Sequence, residues 1–252
     1  LFLSGGFATA DIWMHPILAL EGDYRIIAPD AYPLQGTFDI DAICHMLRAI
    51  LRAEGAQKAT FVGLSLGGEV IQYLLQQHPE SVEHVVLSHS GLLTPEKAAG
   101  RLRMARTLKL LPFFIAKKTL TAGSTGPFPE ASAWRAFAQA YFQEMASHLT
   151  KEAMVRFYET QADMASRFAF DSHKLADWPG EMLLIASQDD QTTISNRDAL
   201  LARYPRARTH AFEQGGHHPL LLFPQDYARV LSSFLDEAYG RVDRDAGPFV
   251  GW

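Results

Sequence analysis

A serine between glycines, two acids behind an apolar run and a histidine behind a glycine pair are the residues of this chain whose types and spacing could do chemistry. They lie in "GLSLGG" (63–68), "MLLIASQDDQTT" (182–193) and "EQGGHHPLLLFP" (213–224). A serine hydroxyl stays protonated at neutral pH and is a poor nucleophile alone. It needs a base to take its proton and an acid to orient that base. The three stretches supply one of each, in the order Ser, Asp, His.

Ser65 sits where the β-rich run Thr60 to Leu64 gives way to the helix-like "EVIQYLLQQHP". A strand that reverses into a helix within about two residues crowds the backbone, and glycine two places before and after the serine avoids a clash. Gly63 and Gly67 occupy those places. Such a turn pushes the serine over the carboxyl ends of the strands and leaves the Leu66 NH at a helix N-terminus, half of an oxyanion hole. The stretch "LFLSGGFATADIW" near the front offers the other half, the NH of Gly6 before that of Phe7. A carboxylate at the end of the 182–186 run can accept an imidazole NH, and spacing from the strand favours Asp190 over Asp189. In the last stretch the glycine pair frees a loop to present His217, with His218 as the second choice.

The elements that must position these residues are legible as alternation. Short apolar runs recur at Leu1 to Leu3, Tyr24 to Ala28, Thr60 to Leu64, His84 to Leu87, Met182 to Ala186 and Thr209 to Phe212. Runs of this kind suit strands buried on both faces. Helical stripes lie between them, one of Ile43, Met46, Leu47, Ile50 and Leu51, another of Tyr227, Val230, Leu231, Phe234 and Leu235. The fold class is therefore α/β, a mainly parallel twisted sheet flanked by helices. The alternation breaks between Leu92 and Pro179, which reads as a helical insertion. Residues 1–91 and 180–252 would form the core domain and 92–179 the insertion. Within it, Thr94-Pro95-Glu96 is an expected helix start with proline in the first turn, Trp134 to Phe142 carries an aromatic stripe, and "TAGSTGPFPEAS" (121–132) marks a loop.

Composition narrows the function classes. The chain has 252 residues, 48% hydrophobic, with a formal net charge of −5, ordinary for a globular domain. Acids and bases read as scattered rather than blocked, so neither a nucleic-acid footprint nor a basic membrane patch is expected. No apolar run approaches the roughly 18 residues of a membrane span; the strongest is "LLPFFIA" (110–116). The one cysteine, Cys44, excludes an intramolecular disulfide and a multi-cysteine zinc site. It reads as core filling and fits a reducing cytoplasm. "LFLS" at the front resembles the middle of a strand, so the natural start is expected upstream and a signal peptide there stays open.

Ser65, Asp190 and His217 in that order, with "GLSLGG" at a strand-to-helix elbow, resemble the α/β-hydrolase superfamily across nearly the full chain. The resemblance implies that 92–179 is a helical cap and 63–68 the nucleophile elbow. The two strands that usually precede the oxyanion strand have no counterpart here. Ser4 stands where many relatives carry a histidine that braces the oxyanion loop. Serine rather than aspartate as nucleophile implies acyl chemistry, with no metal or organic cofactor.

The expected activity is hydrolysis of a carboxylic ester of a small or medium apolar substrate, suggested by the aromatic residues of the insertion. Phe7, Phe113, Trp134, Phe137, Tyr141 and Phe142 are the candidate substrate contacts, although such a stripe also suits packing onto the core. The same triad could cleave a carbon-carbon bond next to a ketone, open a lactone, form a peracid or serve a small-molecule receptor. The partner in every case is a small molecule; oligomeric state is not legible.

Overall fold

The computed structural model describes residues 1–31, 39–121, 128–130, 132–191 and 193–241. Five parallel strands form one sheet in sequence order: β1 (Phe2–Leu3), β2 (Ala59–Leu64), β3 (Val82–Ser88), β4 (Met182–Ser187) and β5 (Arg208–Phe212). Register sets Val62 beside Phe2 and Val86, and Val86 beside Leu183. Because side chains alternate between faces, neighbouring residues of one strand enter different cores. Leu3, Phe61, Val85 and Leu184 pack on α2 (Ile40–Ala53) and α3 (Leu66–Gln77). Phe2, Val62, Val86 and Leu183 pack with α1 (Met14–Leu20), α8 (Pro219–Leu222) and α9 (Pro224–Ala238) on the other face. Both faces are covered, which is why the strands read as unbroken apolar runs. Cys44 of α2 is buried in the first of these cores.

One expected strand is corrected. Residues 24–28 run extended beside β1 and make one backbone bond to it, Phe2 N to Ile27 O at 2.8 Å, but form no ladder.

Between β3 and β4 the chain forms α4 (Lys97–Leu110), α5 (Phe113–Thr121), α6 (Arg135–Ser147) and α7 (Lys151–Arg167). α4 and α7 pack side by side with α5, around Ala105, Leu108, Ala116, Leu149, Met154 and Val155. α4 begins two residues later than the proline suggested, because Thr94 O and Pro95 O accept from Lys97 N and Ala98 N in a turn that leads into it. Most of the expected loop at 121–132 lies outside the described residues.

A polar stripe on α3 fastens this helical segment to the sheet. Glu69, Gln72 and Gln76 recur at a spacing of three and four, so they share one helix face, and all are buried. Arg101 Nη2 donates to both Glu69 carboxylate oxygens at 2.6 Å. Gln72 donates to Gly91 O at 2.8 Å and accepts from Leu93 N at 3.1 Å, where the chain leaves the sheet. Gln76 accepts from Asp171 N at 3.0 Å, where it returns.

Candidate active site

The site residues stand in the turns that follow the strands, at the carboxyl edge of the parallel sheet. Three non-glycine residues there have positive φ: Phe7 (+65°) after β1, Ser65 (+51°) after β2 and His89 (+49°) after β3. Each such residue costs of order 1–3 kcal/mol, and conformations of this kind cluster at functional sites.

Ser65 is half-buried between the buried residues of β2 and α3. Its NH donates to Ser88 O at 2.9 Å, and its carbonyl accepts from Gly68 N and Ser90 Oγ, each at 3.1 Å. The glycines are required by backbone proximity: a Cβ on Gly63 would lie 2.5 Å from Gly67 C, and one on Gly67 2.3 Å from Leu3 O. Leu66 opens α3, so its NH lies in the first turn, where helix NH groups have no intrahelical partner.

The turn after β1 reaches the serine. A Cβ on Gly5 would stand 3.4 Å from Ser65 Cβ. Ser4, in place of the family's histidine, braces this turn by donating from Oγ to Ala8 O at 2.9 Å. Gly6 lies under the Phe157 ring of α7, so close that a Cβ there would fall 2.1 Å from ring carbon Cε2. Phe7 packs on the same ring, with centroids 4.2 Å apart.

Beyond β4 and β5, His217 Nδ1 is 2.8 Å from Asp190 Oδ2. Gly215 (φ +128°) and Gly216 (φ +53°) turn the loop that presents this histidine. Asp189 faces the loop instead, its carboxylate accepting from Gly215 N at 3.1 Å and Gly216 N at 2.8 Å. Asp190 is buried, and the Thr193 hydroxyl donates to the same Oδ2. Burial opposes a charged carboxylate, but the His217 hydrogen bond and charge, with Thr193 and His89, outweigh it and hold Asp190 well below the usual carboxylate range.

Two further histidines back this group. His89 is buried with its ring 5.9 Å from that of His217, its Nδ1 3.0 Å from Ser88 Oγ and its Nε2 2.9 Å from Ser187 Oγ. Burial first, then the charge of His217, lowers its pKa to about 3 despite Asp190. His218 is buried against Phe142, at 4.4 Å between ring centroids, and burial drives its pKa well below the usual value. Thr193 reaches Asp190 from three residues away in the same turn, whereas His89 comes from the end of β3 and only the strand order brings it there. A histidine one residue past a strand's carboxyl end was the available hint for His89.

The aromatic candidates divide. Phe7 meets Phe157 over the glycine turn, and Phe142 meets His218. Trp134 and Phe137 pack on His15, at 4.3 and 5.8 Å, and the Tyr141 hydroxyl donates to Asp11 at 3.3 Å, all on the segment after β1. Phe113 stands apart, exposed on α5 with the Lys117 ammonium 5.8 Å above its ring.

The fold agrees with the comparisons. A model of the alpha/beta hydrolase family matches residues 1–230, and the chain belongs to that family. It is 27% identical over 229 residues to a 2-hydroxymuconate semialdehyde hydrolase of Pseudomonas putida, spanning 85% of this chain and 78% of that protein. Its fold is similar to that of a thermophilic esterase from Thermogutta terrifontis, with TM-score 0.75, 16% identity and coverage of 94% and 89% of the two chains. It is similar also to that of a meta-cleavage product hydrolase from Pseudomonas fluorescens IP01, with TM-score 0.67, 20% identity and coverage of 94% and 90%. Among the described residues no helix is long and apolar enough to cross a membrane.

Proposed function

We propose that this chain is a serine hydrolase that cleaves carboxylic esters of small to medium apolar substrates through Ser65, His217 and Asp190. The observation that carries the reading is the 2.8 Å contact of His217 Nδ1 with the buried Asp190, on the same sheet edge as a serine held at positive φ. His217 Nε2 takes the Ser65 proton as Oγ attacks the ester carbonyl, and Asp190 fixes the tautomer and balances the imidazolium. The NH groups of Leu66 and Gly6 stabilise the oxyanion, each worth about 3 kcal/mol in the transition state. His217 returns the proton to the leaving alcohol. Water then repeats the sequence to release the acid.

Residues 92–179 act as a cap over this edge. Phe157 closes over Gly6 and Phe7, and Phe142 approaches from α6, giving the acyl side an apolar wall. A second reading, carbon-carbon hydrolysis next to a ketone, draws on the Pseudomonas putida relative and uses the same three residues.

The first experiment is labelling with an organophosphonate followed by peptide mapping. A single adduct on the peptide carrying Ser65, lost in His217→Ala, is expected; a folded, unlabelled protein would sink the reading. Turnover of p-nitrophenyl esters against 2-hydroxymuconate semialdehyde then separates the two chemistries.

A further inference from the structure

Most of the large side chains in the strongest apolar run of the sequence are on the surface. Leu110 is 87% and Phe114 72% exposed, with Phe113 and Ile115 also open to solvent, where α4 turns into α5. Inward contacts are made by their neighbours Ala105, Leu108 and Ala116. Folded chains scatter single apolar side chains over their surfaces, but bulky ones exposed in near succession mark an interaction site.

Cations frame this corner. Arg103, Arg106, Lys109 and Lys118 are exposed around it. No acid occurs in the sequence between Glu96 and Glu130, although the chain carries a net charge of −5. The acid that α7 brings closest in pairing, Glu159, meets Lys109 at 2.6 Å. α4 and α5 thus carry these cations with no acid of their own.

We propose that the α4–α5 corner docks on an anionic phospholipid surface, Leu110 and Phe114 entering the boundary between headgroups and acyl chains while Arg103, Arg106 and Lys118 meet lipid phosphates. Bulky apolar tips flanked by Lys and Arg combine the two attractions that interfacial binding requires. A second copy of this chain fits the surface poorly, because a two-fold contact would set the same cations against each other. None of these side chains belongs to the proposed hydrolytic machinery, so the inference stands apart from that function.

The test is co-sedimentation of the whole chain with vesicles of phosphatidylcholine alone and of an equimolar mixture with phosphatidylglycerol, at low salt. Pelleting with the mixture and little with phosphatidylcholine is expected. The double variant Leu110→Ser/Phe114→Ser should bind at least about tenfold more weakly, and Arg106→Gln/Lys118→Gln about 25-fold more weakly. Both changes are on the surface, so circular dichroism and organophosphonate labelling should match the parent. No pelleting with the mixture, or equal pelleting by either variant, would overturn the proposal. So would a dimer that Phe114→Ser dissolves in a protein that ignores vesicles.

Discussion

Asp189 and Asp190 are adjacent in the chain yet divide one loop between them: Asp190 meets His217 Nδ1 at 2.8 Å, while Asp189 accepts from Gly215 and Gly216. One acid faces the imidazole, and its neighbour holds the backbone that delivers it.

The two acids should therefore fail differently. Asp190→Asn is expected to lower ester turnover by about 10³- to 10⁴-fold, because the amide favours the wrong imidazole tautomer. Asp189→Asn keeps an acceptor for the glycine NH groups and should cost about tenfold at most, the charge-assisted part of two hydrogen bonds. Steady-state kinetics on one ester decides, and equal losses would remove the assignment.

Stability should fall in mild acid for a defined reason. His89 and His218 are neutral in the folded state because burial first depresses their pKa values, that of His89 to about 3, whereas an unfolded histidine titrates near 6.5. Unfolding takes up protons below about pH 6.5, so stability held above that pH is lost as pH drops toward 3. The slope is up to about 1.4 kcal/mol per pH unit for each ring. Urea unfolding of His89→Asn, a residue that tolerates positive φ, should show a flatter dependence across this window.

The elbow glycines should differ in whether a second change can rescue them. A Cβ on Gly68 would lie 1.7 Å from Ser90 Oγ, a side-chain atom, whereas one on Gly67 meets the backbone of Leu3. Gly67→Ala should cost about 1–3 kcal/mol or more, lowering Tm by roughly 3 to 10 °C for a chain of this size. Gly68→Ala should be comparably damaging alone and largely restored by Ser90→Gly. Thermal melts of the four proteins test this.

Breaking the Glu69–Arg101 pair should be worse than replacing it. Both side chains are largely buried, so Arg101→Ala leaves an uncompensated carboxylate and is expected to cost about 3–5 kcal/mol. The double variant Glu69→Leu/Arg101→Met should recover most of that loss in urea unfolding. If the single variant is neutral, the pair does not fasten the helical segment.

Much of this arrangement was legible because parallel strands buried on both faces are continuous apolar runs. The same rule misled at 24–28, where composition matches a strand but a single backbone bond to Phe2 forms in place of a ladder. The elbow could be read from Gly63 and Gly67, since crowding there is local. Spacing from β4 favoured Asp190 over Asp189, but the bonds of Asp189 to Gly215 and Gly216 could not be read, because that loop is distant in the chain. His89 reaches the neighbourhood of Asp190 through strand order, which no short stretch encodes, while Thr193 bonds Asp190 within one turn. Net charge concealed the acid-free interval after Glu96, because a chain-wide sum says nothing of where along the chain the charges lie.

The stripe on α3 makes unequal demands on its partners. Gln72 and Gln76 grip main-chain atoms of Gly91, Leu93 and Asp171, which almost any sequence can supply if the chain follows the same path. Glu69 asks for one particular side chain, Arg101. Helices transplanted from a relative between β3 and β4 would therefore have to bring α3 one arginine, but toward Gln72 and Gln76 only the same path of the chain.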